Sequence, residues 1–311
     1  MQPRPPAPFD VIRLGVGGGH RLHIEQYGRP DGLPALVLHG GPGSGSSPAM
    51  TRPLDLRRWR VVLFDQRGAG RSTPRGGLPH NTTSDLLDDI ERVRAALGID
   101  RWLVMGGSWG ATLAVLYAAR HTGAMRGLLL RALFLARRVD LDWFFGGAAA
   151  LRPEAWQRFA AVAPAGTRDL RRWLASQQSG WPRIAAAWRG WEQALAGSPE
   201  PPPPDAATRA VLAVKYRLQA QYIARGFDLA PNAVLRALAS LGHLPTLLLH
   251  GRADLVCRPE SSWLAAQAHR AARLRWIDAV GHDPYAPPML AAARAALRDF
   301  ARDGDFSAVS P

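Results

Sequence analysis

The pentapeptide Gly106-Gly107-Ser108-Trp109-Gly110 stands where an apolar run, Trp102-Leu103-Val104-Met105, gives way to a helix-like stretch from Ala111 to Arg120. The G-x-S-x-G pattern makes physical sense at a strand-to-helix turn too tight for side chains at its flanking glycines, with the serine held in a strained backbone conformation. Such a turn lifts the hydroxyl out of the sheet and aims the free N–H groups of the new helix at a carbonyl under attack. The chain is therefore expected to build a sheet with a helix behind it and to carry a serine nucleophile at position 108.

Strand-like runs bounded by turn residues fall at Val11–Val16, Arg21–Tyr27, Ala35–His39, Arg60–Phe64, Trp102–Met105, Gly127–Arg131, Thr246–His250 and Leu274–Asp278. Helical patterns lie between or after them at Asp85–Leu97, Ala111–Arg120, Glu260–Ala272 and Pro288–Ala301. Alternation of this kind predicts a mostly parallel sheet with helices on both faces, and the first two strands read as an antiparallel hairpin leading into it. From about Arg138 to Gly242 no strand-like run occurs, alanine and arginine dominate, and six of the eleven tryptophans are found there. The expected organisation is a core domain of residues 1–137 and 243–311 interrupted by a helical cap at 138–242. Within the cap, Ser198-Pro199-Glu200-Pro201-Pro202-Pro203-Pro204 reads as a stiff extended connector between helices.

A serine nucleophile needs a base, and the base an orienting acid. In a sheet of this kind the order along the chain is Ser, then Asp or Glu, then His, each on a loop after a strand. Asp254, in His250-Gly251-Arg252-Ala253-Asp254, follows the strand Thr246–His250, and His282, in Gly281-His282-Asp283, follows the last strand. Asp278 is the rival acid, at a strand end that suits an ordinary turn; His39 and His250 each precede a turn glycine and read as structural. An oxyanion hole is offered by His39-Gly40-Gly41-Pro42-Gly43. One donor would be the N–H of Trp109 and the other that of Gly41, each worth roughly 3 kcal/mol to a transition state. A phosphate-binding loop is disfavoured there because no Gly-Lys-Ser/Thr follows.

The formal net charge of +14 raises nucleic acid as a partner, but the basic residues are almost all arginine, with Lys215 the one lysine, and form no stripe. No nucleic-acid role is expected. No run approaches the roughly 20 uninterrupted apolar residues of a membrane helix, and the Pro-rich start lacks the apolar core of a signal peptide. With Cys257 alone there is no intrachain disulfide. A cytoplasmic protein without cofactor or metal, and without a membrane partner, is the expectation. Cys257 reads equally as a small buried residue or as a thiol close to the site.

Several motifs together carry a resemblance. His39-Gly40-Gly41-Pro42-Gly43, Asp65-Gln66-Arg67-Gly68-Ala69-Gly70-Arg71-Ser72, Asn81-Thr82-Thr83, Asp89-Ile90-Glu91-Arg92 and Gly106-Gly107-Ser108-Trp109-Gly110 resemble the prolyl iminopeptidases of the α/β-hydrolase superfamily. Trp143-Phe144-Phe145, Pro153-Glu154-Ala155-Trp156 and Trp188-Arg189-Gly190-Trp191-Glu192 resemble that family's cap helices, so the likeness runs from about residue 9 to 302. It implies an α/β-hydrolase fold and an exopeptidase that removes an N-terminal proline, the ring enclosed beneath the cap. A buried ammonium needs a paired carboxylate. Glu192 matches the family's first amine-binding glutamate, and Trp188 and Trp191 beside it are expected to form aromatic walls.

The second amine-binding glutamate of that family is missing: Gln219 occupies its position in Arg217-Leu218-Gln219-Ala220-Gln221-Tyr222-Ile223, and Gln221 and Ile223 depart from the motif as well. A neutral amide can accept a hydrogen bond but brings no charge, which would weaken amine recognition by about 1–3 kcal/mol in a dry pocket. The leading expectation is a prolyl aminopeptidase acting on small peptides. An esterase, amidase or lactonase with a remodelled pocket uses the same machinery on a small acyl substrate. A silent ligand-binding homologue is the remote alternative.

Overall fold

A computed structural model describes residues 5–197 and 202–309. The described residues form an eight-stranded sheet in the order β1-β2-β4-β3-β5-β6-β7-β8. Its strands are β1 (Asp10–Gly17), β2 (His20–Gly28), β3 (Leu33–Leu38), β4 (Trp59–Asp65), β5 (Trp102–Gly107), β6 (Met125–Arg131), β7 (Thr246–Gly251) and β8 (Ala272–Ile277). β1 and β2 form the antiparallel hairpin, β2 pairs antiparallel with β4, and β3 to β8 run parallel. Every expected strand is present, within a residue or two of its bounds. Gly17, Gly18 and Gly19 all have positive φ and make the hairpin turn.

Alternation along the parallel strands explains why both faces must be covered. Leu36, Val62, Val104, Leu128, Leu130 and Leu248 point to one core, shared with α1 (Thr83–Ala96) and α2 (Trp109–Arg120). Their neighbours Val37, Leu63, Leu103, Met105, Leu129 and Leu249 point to the other. α1 begins on a reciprocal cap in which Thr82 Oγ1 accepts from Asp85 N and Asp85 returns a carboxylate oxygen to Thr82 N.

Between β6 and β7 the described chain is helical: α3 (Arg138–Phe144), α4 (Pro153–Ala160), α5 (Leu170–Ser176), α6 (Trp181–Ala196), α7 (Ala206–Ala224) and α8 (Ala233–Ala239). α6 packs on α7, while α8 sits on α2 and on α9 (Glu260–Ala268). The expected Pro-rich connector lies partly outside the described residues. α10 (Pro287–Asp303) closes the chain, placing Met289, Ala296 and Phe300 against the second face of the sheet.

One helix is shorter than its pattern. α9 stops at Ala268 rather than Ala272, because His269 turns inward to bond Leu244 O at 3.0 Å and Thr246 Oγ1 at 3.1 Å, and β8 starts at Ala272. Asp278 lies just past β8, exposed, and pairs with Arg252 at 3.0 Å.

Candidate active site

The turn from β5 into α2 is tight because two glycines let backbones touch. A Cβ on Gly110 would lie 2.3 Å from Leu38 O, and one on Gly106 2.3 Å from Gly110 O. Between them Ser108 adopts φ 56° and ψ −122°, a conformation costing a non-glycine residue about 1–3 kcal/mol. Its amide donates to Arg131 O at 3.0 Å, which ties the elbow to β6.

Asp254 and His282 come from the loops after β7 and β8. Asp254 is wholly buried, and its Oδ2 lies 2.7 Å from His282 Nδ1. Its Oδ1 accepts from Val256 N at 2.9 Å and Cys257 N at 3.0 Å. Burial works to raise the Asp254 carboxyl, but the His282 charge and hydrogen bond, with help from His250 and Cys257 N, hold it below the usual carboxylate range. An ionised carboxylate can only accept, so the His282 proton sits on Nδ1 and leaves Nε2 as the basic lone pair. Ser108 and His282 line one cavity of about 530 Å³.

The loop after β3 supplies the opposite wall. Gly40 and Gly41 line the cavity, and Gly41 has φ 116°. Neither Gly41 N nor Trp109 N has a hydrogen-bond acceptor among the described residues. Gln66 locks this loop to the elbow: its Nε2 donates to His39 O at 2.8 Å, and its Oε1 accepts from Trp109 Nε1 at 3.2 Å. His39 Nε2 accepts from Gln66 N at 3.0 Å, which burial permits by lowering the imidazole's affinity for a proton. Asp65 ties the next stretch of this loop to the turn after β4, accepting from Ser46 Oγ at 2.7 Å and from Arg71 N at 2.8 Å.

The helical segment forms the remaining wall. Glu192 on α6, with Lys215 and Gln219 on α7, lines the cavity beside Phe134, Phe144, Phe145, Ile223 and Phe227. Glu192 Oε2 accepts from Lys215 Nζ at 2.9 Å and from the Tyr216 hydroxyl at 2.7 Å, while Oε1 accepts from Gln219 Nε2 at 3.0 Å. Burial raises the Glu192 carboxyl, yet the Lys215 charge and these three donors bring it below its ordinary range. Gln221 turns away and donates to Ala175 O at 2.7 Å.

Trp188 and Trp191 do not wall the cavity, and the expectation that they would is corrected. Both are fully buried and absent from its lining. Trp191 Nε1 donates to Phe144 O at 3.0 Å, and the Trp188 ring lies tilted 5.1 Å from Tyr216 and edge-on 5.6 Å from Phe145. They are the support behind the aromatic wall. The reason is helical phase: Trp181, Ile184, Trp188, Trp191 and Leu195 form the buried stripe of α6, and Glu192 stands at its border.

Three features of the site were not foreseen. Lys215 lies four residues before Gln219, hence on the same helix face, a spacing that could have drawn attention to it. Arg131, at the end of β6, donates to His282 O at 2.8 Å, and its guanidinium packs where a side chain at Gly107 would be. Finally, α6 ends against the histidine loop: His282 N donates to Ala196 O at 3.3 Å, and a Cβ on Gly281 would stand 2.2 Å from that oxygen. Cys257 is buried, with Sγ 3.7 Å from Ser108 Oγ, and burial together with the Asp254 charge pushes its thiol well above the ordinary range.

Comparison with known proteins bears on the fold and the family. A family model described as the alpha/beta hydrolase fold matches residues 34–286. A proline iminopeptidase of Xylella fastidiosa (strain 9a5c) is 40% identical over 309 residues, covering 94% of this chain and 97% of that one. One from Neisseria meningitidis serogroup B (strain ATCC BAA-335 / MC58) is 38% identical, covering 94% and 96%. Among solved structures, the proline iminopeptidase of Mycobacterium smegmatis superimposes with a TM-score of 0.66 at 20% identity, covering 96% of this chain and 100% of that one. At that identity the superposition speaks for the fold. The chain belongs to the α/β hydrolases and, within them, to the proline iminopeptidase family. No helix among the described residues is long and apolar enough to cross a membrane.

Proposed function

We propose that this member of the proline iminopeptidase family is a prolyl aminopeptidase, releasing the N-terminal proline of small peptides through an acyl-enzyme on Ser108. The observation that carries the reading is that the Ser108 hydroxyl and the Asp254-oriented His282 open onto the same cavity as the Glu192 carboxylate. In this reading the proline ring lies against Phe144, Phe145 and Phe227, and its charged nitrogen is held at Glu192. Residues 138–242 act as a cap domain on a core of 1–137 and 243–311.

The chemistry follows from the protonation states. His282 Nε2 takes the Ser108 proton as Oγ attacks the prolyl carbonyl, and Gly41 N and Trp109 N donate to the oxyanion that forms. The imidazolium, stabilised by Asp254, then protonates the departing amide nitrogen as the C–N bond breaks. Water repeats the cycle on the ester: His282 takes its proton, the hydroxyl adds to the carbonyl, and Ser108 leaves with the proton returned. Free proline is released. A cytoplasmic setting goes with this reading and rests on the single thiol of the chain.

Rates on a proline arylamide and on a simple neutral aryl ester test the proposal. The arylamide is expected to be hydrolysed with the higher kcat/KM; cleavage of the ester alone would remove the peptidase reading. A neutral-acyl esterase, amidase or lactonase is the second reading, and Gln219 in place of a second carboxylate is what favours it.

A further inference from the structure

The carboxylate that should receive a substrate ammonium already holds one. Lys215 Nζ sits 2.9 Å from Glu192 Oε2 and 4.4 Å from the centre of the Tyr216 ring, the position of a cation in a carboxylate-and-aromatic site. With Tyr216 and Gln219 also donating, Glu192 has a donor on each oxygen and its charge is neutralised from within the chain. Of the 39 basic residues of the chain this one alone is lysine. Arginine would have brought a broad planar fork, whereas lysine brings a compact ammonium on a flexible stem. The Lys215 side chain keeps 19% of its surface exposed, so it has a way out toward solvent.

Gln219 adds a second observation. Its amide nitrogen must face the Glu192 carboxylate, since the reverse orientation would set oxygen against oxygen. That leaves Gln219 Oε1 buried without a donor among the described residues, beside the cavity. A secondary ammonium carries two N–H groups. With Lys215 displaced, one could be accepted by Glu192 Oε2 and the other by Gln219 Oε1.

We propose that Lys215 is a specificity-determining residue that stands in for the substrate ammonium at Glu192, so that a free-amine acyl group binds by exchanging its nitrogen for Lys215 Nζ. The inference rests on the cavity being the acyl site of the prolyl aminopeptidase proposed above. Exchange of one cation for another yields only the difference between two ion pairs. The pocket therefore discriminates less sharply between a charged amine and a neutral acyl group than an unoccupied carboxylate would.

Two measurements on the full chain test this. Because the chain has one lysine, selective ¹³C labelling of lysine gives a single Cε signal. Saturation with prolinamide is expected to move it toward the position of a solvated lysine, and N-acetylprolinamide is expected not to. The second measurement is the ratio of inhibition constants of those two ligands against hydrolysis of a neutral aryl ester. Lys215→Met should shift that ratio about tenfold toward the amine, the scale of one charge-assisted hydrogen bond; Lys215→Arg, which keeps the charge and can hold the carboxylate with a planar fork, should not shift it toward the amine. An unmoved Cε signal, equal movement with both ligands, failure of prolinamide to inhibit, or an unchanged ratio in Lys215→Met would overturn the exchange. If proline arylamide is not cleaved but the lysine signal responds to prolinamide, the peptidase reading falls and the exchange stands. Cleavage with a silent lysine sinks the exchange alone.

Discussion

The floor of the cavity and its helical wall are built on different principles. On the floor, backbone contacts set the geometry: the elbow glycines press on Leu38 O and Gly110 O, and Asp254 takes two amide donors from its own loop. A side chain at either elbow glycine displaces main chain. In the wall, Glu192, Lys215 and Gln219 are side chains on two packed helices, joined to one another by side-chain hydrogen bonds rather than by backbone contacts. Under the proposed function, the difference assigns the reaction to main-chain geometry and the choice of substrate to exchangeable side chains. It also predicts that floor variants lower rates for all substrates together, whereas wall variants change the ranking of substrates.

The largest break is at the proposed nucleophile. Ser108→Ala is expected to cut kcat for arylamide and ester alike by on the order of 10⁴-fold or more, read in steady-state assays of a purified protein whose melting temperature is checked against the parent. A variant that discriminated between the two substrates would blur the division between floor and wall. Asp254→Asn follows, with an expected loss of about 10³- to 10⁴-fold, because an amide at that position can favour the wrong imidazole tautomer. Its pH dependence has a definite sign. The Asp254 carboxyl lies below its ordinary range in the folded chain. Its contribution to stability is therefore complete above about pH 4, the ordinary aspartate value, and is lost as pH falls through the folded value. The acid limb of a denaturation profile should thus flatten in Asp254→Asn, and an unchanged limb would show that the His282 pair adds nothing to stability.

Sequence and structure part company along the same division. The strands and the Ser108, Asp254 and His282 loops were legible because alternation of apolar residues and glycine-bounded turns are local properties. The two tryptophans neighbour Glu192 in sequence but not in helical phase; the buried stripe through Trp181, Ile184, Trp188, Trp191 and Leu195 places them in the core. The end of α9 depended on His269 finding Leu244 O across the fold, which no local pattern records. Lys215 was visible as a lone lysine, yet its partner Glu192 lies on another helix, and the pairing of helices is a tertiary fact.

Within the wall, Glu192→Ala should have the larger effect. It removes the carboxylate and leaves Lys215 as an unmatched cation beside the acyl site. The expected outcome is a 10- to 100-fold increase in KM for the proline arylamide, the loss of a charged hydrogen bond with a repulsion added, and a several-fold smaller change for the neutral ester. Equal losses on both substrates would remove the amine-anchor role.

Gln219→Glu is the smallest effect and the sharpest comparison. The new carboxylate would stand where Gln219 Nε2 now donates to Glu192 Oε1 at 3.0 Å, so two carboxylates would share one site with Lys215. Like charges that close do not both ionise readily: the pair holds a proton, and its upper macroscopic pKa is raised. At acid pH the site then carries the same net charge as the parent, and amine affinity should be little changed. As pH rises and the shared proton leaves, the pair becomes one charge more negative than its lysine can balance. The KM for the proline arylamide should then fall by about threefold relative to the parent, a gain limited by the partial exposure of Glu192. The ester KM measured over the same pH range serves as the control. A gain that ignores pH would mean that the two carboxylates do not interact, and no gain at any pH would place residue 219 outside the amine's reach.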